Sequence, residues 1–286
     1  FIFFIGSTFL VDAETVQQEA HYVGGEVCAT CHLSVVESYE KVGMAKTLQP
    51  IEEALPIEDW EKNNRYYHEQ SDQHFLMTKR DGKFFQKRYQ LDVDGRQTNT
   101  FEMEIGYAIG SGFKERDYAA QLPSGELVQF PVVWYRDEGR WSIAPGYDHP
   151  NHDGFRRRLN YRCISCHAAY PELEGDQGRY EIQTPLFKQG VLTAIDCERC
   201  HGPASNHVQK ASLGLSDLEI RDSIVNPSRL PRDRELDVCL QCHLETTSIE
   251  LPNSTLKIGR GIFSFRPGER LTDYHYFPHL MLLFFQ

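Results

Sequence analysis

The pattern of apolar and polar positions divides the chain into stretches of different character. After His32, apolar side chains recur at helical spacing as far as Gly43, which predicts a short helix. Residues 64–145 instead combine aromatic and β-branched residues with turn signals such as the Asp-Gly pair at 94–95, which predicts an antiparallel meander of about six strands. Helical spacing returns in residues 204–224.

These changes of pattern predict four segments. An apolar and polar tail covers residues 1–20, a first segment follows at 21–63, a β-rich insertion occupies 64–145, and a segment with an apolar tail runs from 146 to 286. Gly and Pro are scattered through the last segment, which leaves room for brief helices and loops only. The expected fold class is therefore α+β with little regular structure.

Both ends of the chain are apolar. Residues 1–13 look like the end of a secretory signal with a small-residue cleavage site, and they are too short to span a bilayer. We therefore expect an exported protein without a transmembrane span. Residues 280–285 form the second apolar end. Two such ends favour self-association through the termini, and packing of each end on its own domain is the alternative.

The charge of the chain limits its partners. A formal net charge of −11 at pH 7 argues against a nucleic-acid partner, because phosphate contacts need clustered Lys and Arg. An acidic surface suits protein partners that present basic patches, and it also favours solubility.

The strongest chemical signal is the motif Cys-x-x-Cys-His, which occurs four times and uses all eight cysteines. It is the attachment signature of c-type haem, in which two thiols add across the vinyl groups and the histidine becomes the proximal iron ligand. We therefore expect four covalently attached haem c groups. The attaching residues are Cys28, Cys31, Cys163, Cys166, Cys197, Cys200, Cys239 and Cys242. The proximal ligands are His32, His167, His201 and His243.

Zinc binding, a redox dithiol and disulfides are the alternatives for these cysteines. Zinc knuckles do not require a histidine after every second cysteine. The gap between Cys166 and Cys197 is also wider than the spacing in a zinc ribbon, which is about 15–20 residues. Disulfides would require each close pair to find distant partners four times over. The motif therefore favours haem.

Four haems would supply much of the core. The expected architecture is a haem-packed multihaem cytochrome c core with an antiparallel β subdomain beside it. The β insertion separates the first motif from the other three in sequence. Short spacers between those three motifs predict haems that touch or nearly touch.

The second axial ligand of each iron must come from another side chain. His207 lies six residues after His201, too near to reach the opposite face of the same haem, so we expect it to bind a neighbouring haem. Met44 is a competitor, and a Met/His iron would have a higher potential than a His/His iron. Two pairs of histidines each supply one further candidate, namely His149 with His152 and His275 with His279.

Part of the sequence resembles a known family. Residues 197–207 join the third motif to a Gly-Pro step and to His207, which looks like multihaem cytochromes c related to the tetrahaem cytochrome of ammonia oxidisers. A subgroup of them often carries tetratricopeptide repeats after its haem domain. The stretches that are similar to this subgroup are 110–112, 131–135, 145–148 and 263–269.

The resemblance implies electron transfer and covers most of residues 22–279. It also adds His68, which resembles a histidine of the subgroup, to the distal candidates. The chain departs from the subgroup at its C-terminus, where an apolar tail stands in place of the repeats.

Three functions follow from these predictions. The first is an electron carrier, outside the cytoplasm in the periplasm or beyond it, that passes electrons between redox partner proteins along closely spaced, mostly bis-histidine haems. The second is a subunit of a polymeric extracellular cytochrome filament. The third is a haem enzyme that acts on a small nitrogen or sulfur compound at one five-coordinate haem. The surplus of histidines and the lack of a Cys-x-x-Cys-Lys motif favour a carrier over an enzyme.

Overall fold

A computed structural model describes residues 19–171, 193–243 and 254–277 of the chain. The described residues form a β region in the middle of the sequence and short helices on either side of it. The twelve strands are β1 (Leu48–Pro50), β2 (Arg65–His68), β3 (Gln73–Arg80), β4 (Lys83–Leu91), β5 (Gln97–Ile105), β6 (Tyr107–Ile109), β7 (Glu115–Gln121), β8 (Leu127–Gln129), β9 (Val132–Tyr135), β10 (Arg140–Ile143), β11 (Thr255–Leu256) and β12 (His275–Tyr276).

The strands form three antiparallel sheets. One sheet has four strands in the order β2-β3-β4-β5. A second has the order β1-β6-β7-β9-β10, with β8 paired to β7. β11 and β12 form a two-stranded ladder near the C-terminus. Residues 64–145 hold nine strands where the sequence predicted about six, because two of the additional strands, β6 and β8, are only three residues long.

The two larger sheets share one core. Phe75 and Met77 of β3 are fully buried together with Tyr118 of β7 and Val132 of β9. Buried Gln86 on β4 connects the sheets: its amide donates to the Val132 carbonyl at 2.9 Å and accepts from the Val132 N–H at 3.2 Å. Both polar ends of this side chain are therefore satisfied inside an apolar core, as a buried amide requires.

A buried ion pair lies at the edge of this core. Glu58 and Arg116 have side chains 2% and 1% exposed, and their atoms Oε1 and Nη1 are 2.8 Å apart. The same Glu58 oxygen accepts from the Tyr118 hydroxyl at 2.8 Å, and Arg116 also donates to the Leu55 carbonyl at 2.7 Å. The connector before the β region is thereby fixed to β7.

The helices are short. They are α1 (Ala29–Tyr39), α2 (Tyr161–His167), α3 (Glu198–His201), α4 (Ser205–Ser212), α5 (Asp217–Arg221) and α6 (Arg232–His243). Six single 3-10 turns accompany them, at Gly25–Cys28, Gly43–Lys46, Glu69–Ser71, Gly154–Arg156, Pro227–Arg229 and Leu271–Asp273.

Local sequence explains where several helices begin and end. The predicted helix after the first motif is α1, which ends before Gly43. The predicted helical stretch 204–224 is divided into α4 and α5 by Gly214, which has a φ of 66° that few other residues adopt. Ser216 then begins α5 with a capping box that it forms with Glu219.

The second motif packs on the six-stranded sheet. Ile164 and Tyr161 of α2 belong to one apolar cluster with Leu127 of β8 and Ala119 of β7. No helix among the described residues combines the length and the apolar character needed to cross a membrane.

Replacing Glu58 by Ala should strongly destabilise the β region, because Arg116 would remain as a buried charge without its partner. Removing one member of a buried pair costs about 3–5 kcal/mol. We expect a loss of this size in the free energy of unfolding, measured by denaturant titration followed by circular dichroism. E102A is the matched control: it breaks the exposed pair of Glu102 with Arg80 and should cost less than about 1 kcal/mol. Equal losses in both variants would contradict this account.

Asp117 gives the β region a specific pH dependence. Burial raises the pKa of this carboxyl from 3.8 to about 6, against the opposing hydrogen bond from Gln129. A raised folded-state pKa means that the stabilising contribution is complete below about pH 3.8 and is lost as the pH rises through 6. D117N keeps an acceptor for Gln129 without the charge. It should raise the free energy of unfolding by about 1–3 kcal/mol at pH 7.5 and leave it unchanged near pH 4. A pH-independent difference between the two proteins would contradict the assignment.

Candidate functional site

Each of the four motifs lies on a helical turn. The first begins at the end of the 3-10 turn Gly25–Cys28 and continues into α1, and the second lies within α2. The third begins at Cys197, just before α3, and the fourth ends α6. Residues three and four apart share one face of a helix, so a regular turn places the two thiols and the histidine of a motif on the same side. This is the arrangement that attachment to one flat ring requires. In the first motif the backbone of α1 is kinked at His32, with φ −117° and ψ 35°.

All eight cysteines are free thiols. Four are partly buried thiols that lie against a cysteine of another motif, as described below, yet none forms a disulfide. Across the three described ranges, no three His, Cys, Asp or Glu side chains form a group that could hold a metal ion. The cysteine pairs and their histidines fit covalent haem better than a zinc site or a disulfide framework.

The first motif lies against the third. Burial is the main cause that raises the pKa of Cys28 to about 12, and the nearby Cys197 thiol adds to the shift. Tyr39 at the end of α1 donates to the Ile195 carbonyl at 2.7 Å. Two motifs that are far apart in sequence are therefore neighbours in the fold.

Two acidic side chains hold this junction. The Glu198 carboxylate, 2% exposed, accepts from the N–H groups of Val23 and Gly24 at 3.0 and 2.8 Å. It also accepts from the Ala204 N–H at 2.9 Å. Asp196 accepts from the Gly25 N–H at 3.0 Å. The backbone before the first motif is thus bound to Asp196, which directly precedes the third motif, and to Glu198 within it.

The second motif lies against the fourth. The neighbouring Cys166 thiol, aided by the Arg199 guanidinium, lowers the pKa of Cys242 although burial opposes the shift. Cys242 is also 3.8 Å from the Ser165 carbonyl.

The third and fourth motifs are also connected. Gln241 donates to the Arg199 carbonyl at 3.1 Å. Burial and the nearby Cys239 and Cys242 raise the pKa of Cys200 to about 11. All four motifs therefore converge: the first lies against the third, and the third contacts both the fourth, through Gln241, and the second, through the hydrogen bond from Arg199 to the Ser165 carbonyl.

Two histidines in this cluster have a defined orientation. The Nδ1 atoms of His201 and His207 lie 2.7 and 2.9 Å from the carbonyls of Val225 and Ile220. A carbonyl only accepts, so each Nδ1 carries the proton and donates, and each Nε2 keeps its lone pair. This is the tautomer that a histidine needs in order to bind a metal through Nε2.

His207 lies beside the first motif. Its ring is 6.3 Å from the ring of His32, centroid to centroid, with the planes 19° apart. Two imidazoles that bind one metal atom from opposite sides, each with a nitrogen about 2.0 Å from it, have ring centres about 6 Å apart. The separation of His32 and His207 agrees with this value.

His68 and His152 are instead engaged within the β region. The Gly154 N–H donates to His152 Nδ1 at 3.1 Å, so His152 Nε2 carries the proton and donates to Ser71 at 3.2 Å. His68 bonds Ser71 through Nδ1 at 2.7 Å and Asp148 through Nε2 at 3.1 Å. Burial lowers the pKa of His152 to about 4. Both nitrogens of each ring are therefore occupied in this structure, and distal ligation by either stays a prediction.

The other distal candidates lie in different surroundings. His275 lines a cavity with Cys166, Arg199 and Gln241, so it is close to the second and fourth motifs. His149 lies 6.2 Å from His152, ring centre to ring centre. Met44 is 42% exposed. His279 lies outside the described residues, as do most of the two apolar tails.

The acidic and basic residues of the third motif were missed by sequence reasoning. Glu198 and Arg199 occupy the two variable positions of Cys-x-x-Cys-His, where any residue satisfies the attachment pattern. The only signal for them in the sequence was that two oppositely charged residues are adjacent in a motif that needs no charged residue at either position.

Comparisons with known proteins agree with this site. A family described as cytochrome c554 and c-prime matches residues 149–202, which include the second and third motifs. The chain has no match among curated proteins or among solved structures. Residues 149–202 are therefore similar to a family of cytochromes c, proteins that carry covalently bound haem c and transfer electrons.

Proposed function

We propose that this chain carries electrons outside the cytoplasm through four covalently attached haem c groups. The observation that carries the proposal is that hydrogen bonds and close contacts bring all four Cys-x-x-Cys-His motifs, with their free thiols, together in the fold. The family match over residues 149–202 supports the cofactor type and export, and the four motifs support the number.

The chain's own residues would hold the haems and orient their ligands. The thiol pairs would attach the haems covalently, and His32, His167, His201 and His243, which lie one position after each pair, would bind their irons. Val225 fixes the ring of His201 through its carbonyl. Bound haem supplies an iron that changes oxidation state by one electron.

The contacts between motifs support a single row of haems. The first motif is bound to the third through Glu198 and Asp196, the third to the fourth through Gln241, and Cys242 of the fourth lies 3.8 Å from the Ser165 carbonyl of the second. We propose that electrons pass along this order. The first motif is then one end of the row and the second motif is the other.

We further propose that His32 and His207 would together hold the iron of the first haem. Their rings are near parallel, and Ile220 holds His207 in the tautomer with a free Nε2. His275 is the candidate for the second or fourth haem, because it lines the cavity beside Cys166. A saturated iron exchanges electrons without binding substrate, which favours a carrier over an enzyme.

The filament alternative rests on the apolar tails, which lie mostly outside the described residues. It stays a prediction, as does the choice between periplasm and extracellular space. Redox partner proteins would meet an acidic surface, since the formal net charge is −11.

Replacing His207 by Ala should leave the first haem with one axial histidine. We expect one haem of the four to change from low spin to high spin in low-temperature EPR, with the covalent haem content unchanged by intact mass. The physical reason is that loss of one imidazole weakens the ligand field at that iron only.

H74A is the matched control. His74 is another histidine with ordered ring contacts, but it lies between Tyr67 and Tyr89 on the β2-β3-β4 sheet, with ring centres 4.5 and 5.2 Å away. Its removal should leave every haem low spin. A fully low-spin spectrum for H207A would refute the ligand assignment, and a wild-type chain exported without covalent haem would refute the function.

A further inference from the structure

Arg199 is a buried cation at the meeting point of three motifs. It belongs to the third motif and is only 4% exposed. Its Nη2 atom donates to the carbonyl of Ser165 in the second motif and lies 3.9 Å from the sulfur of Cys242 in the fourth. The guanidinium of this third-motif residue therefore lies beside the second and fourth motifs, where two of the proposed haems attach.

The surroundings of Arg199 do not neutralise its charge. Its polar contacts are a backbone carbonyl and a thiol, and its Nε has no hydrogen-bond partner. The guanidinium carbon lies 4.3 Å from the ring centre of Tyr170 and 5.7 Å from that of Phe263. Within residues 19–171, 193–243 and 254–277, no carboxylate forms an ion pair with it. Cation–π contacts of this kind offset only part of the cost of burying a charge.

Haem attachment at Cys166 and Cys242 would increase the effect of the Arg199 charge on its surroundings. Once Cys166 and Cys242 are bound as thioethers, neither sulfur can become an anion beside the guanidinium. The charge of Arg199 then acts through a medium of low dielectric, where the field of a charge reaches further than in water.

The sign of its effect follows from the charge change on reduction. When a ferric haem takes up one electron, the net charge of the site falls by one. A fixed cation nearby therefore stabilises the reduced state more than the oxidised state.

We propose that Arg199 is a positioning charge that raises the reduction potentials of the haems attached at the second and fourth motifs. This inference rests on the proposed haem function. Arg199 would make the reduction potentials uneven along the row of haems. Electrons would then occupy the end at the second motif more readily than they would without Arg199.

The test is a set of variants at this one position. R199M removes the charge and keeps much of the side-chain volume, whereas R199K keeps the charge. In spectroelectrochemical titration of the haem-loaded proteins, R199M should lower the potentials of two haems. We expect about a tenfold change in each reduced-to-oxidised ratio, which is ~59 mV for a one-electron couple. R199K should stay close to the wild type.

R266Q is the matched control. Arg266 also lies over a tyrosine ring, 5.7 Å from the centre of Tyr22, but it is 37% exposed and is paired with Glu19 at 3.3 Å. Its loss should leave all four potentials unchanged.

The outcomes separate this inference from the function on which it rests. Four covalent haems with potentials that R199M does not move would overturn the role of Arg199 alone. Equal shifts in R199K and R199M would show that shape matters rather than charge, and would also overturn it. A wild-type chain without covalent haem would instead overturn the proposed function. If R199M fails to accumulate, R199K and R199Q provide the same comparison of charge against its loss.

Discussion

The Glu198 carboxylate is the constraint on which the arrangement of motifs depends. A buried carboxylate must be satisfied by hydrogen bonds, and Glu198 obtains them from Val23, Gly24 and Ala204. Two of these donors precede the first motif, and the third follows the motif that contains Glu198 itself. Because this one carboxylate needs several hydrogen-bond donors, it holds the first segment of the chain against the third motif.

Different contacts hold the second and fourth motifs in place. Apolar packing of α2 on the six-stranded sheet fixes the second motif, and that sheet is itself joined to the four-stranded sheet through a shared core and Gln86. Arg199 and the thiols of Cys166 and Cys242 then connect α2 to the end of α6. A β scaffold on one side and a carboxylate clamp on the other thus enclose one cluster of attachment sites.

Sequence alone predicted the local elements better than their arrangement. The motif, the helix after His32 and the strand-rich character of 64–145 are local features, so spacing and turn residues were enough to predict them. The junction of the first and third motifs was not predictable in this way, because its contacts join residues more than 150 positions apart. The β region separates these motifs in sequence without separating them in space.

The same reason explains the distal histidines. Spacing suggested that His207 binds a neighbouring haem, but only the fold identifies His32 as its neighbour. Spacing also offered His152, whereas tertiary contacts with Gly154 and Ser71 occupy both of its ring nitrogens. Such choices depend on which partners the fold brings within reach of each ring.

An experimentally determined structure of the haem-loaded chain would test the central claim most directly, through the order of the four irons. The account predicts one continuous row in which neighbours follow the order first, third, fourth and second motif. A first haem that lies apart from the third, or a row that joins the motifs in their sequence order, would contradict it.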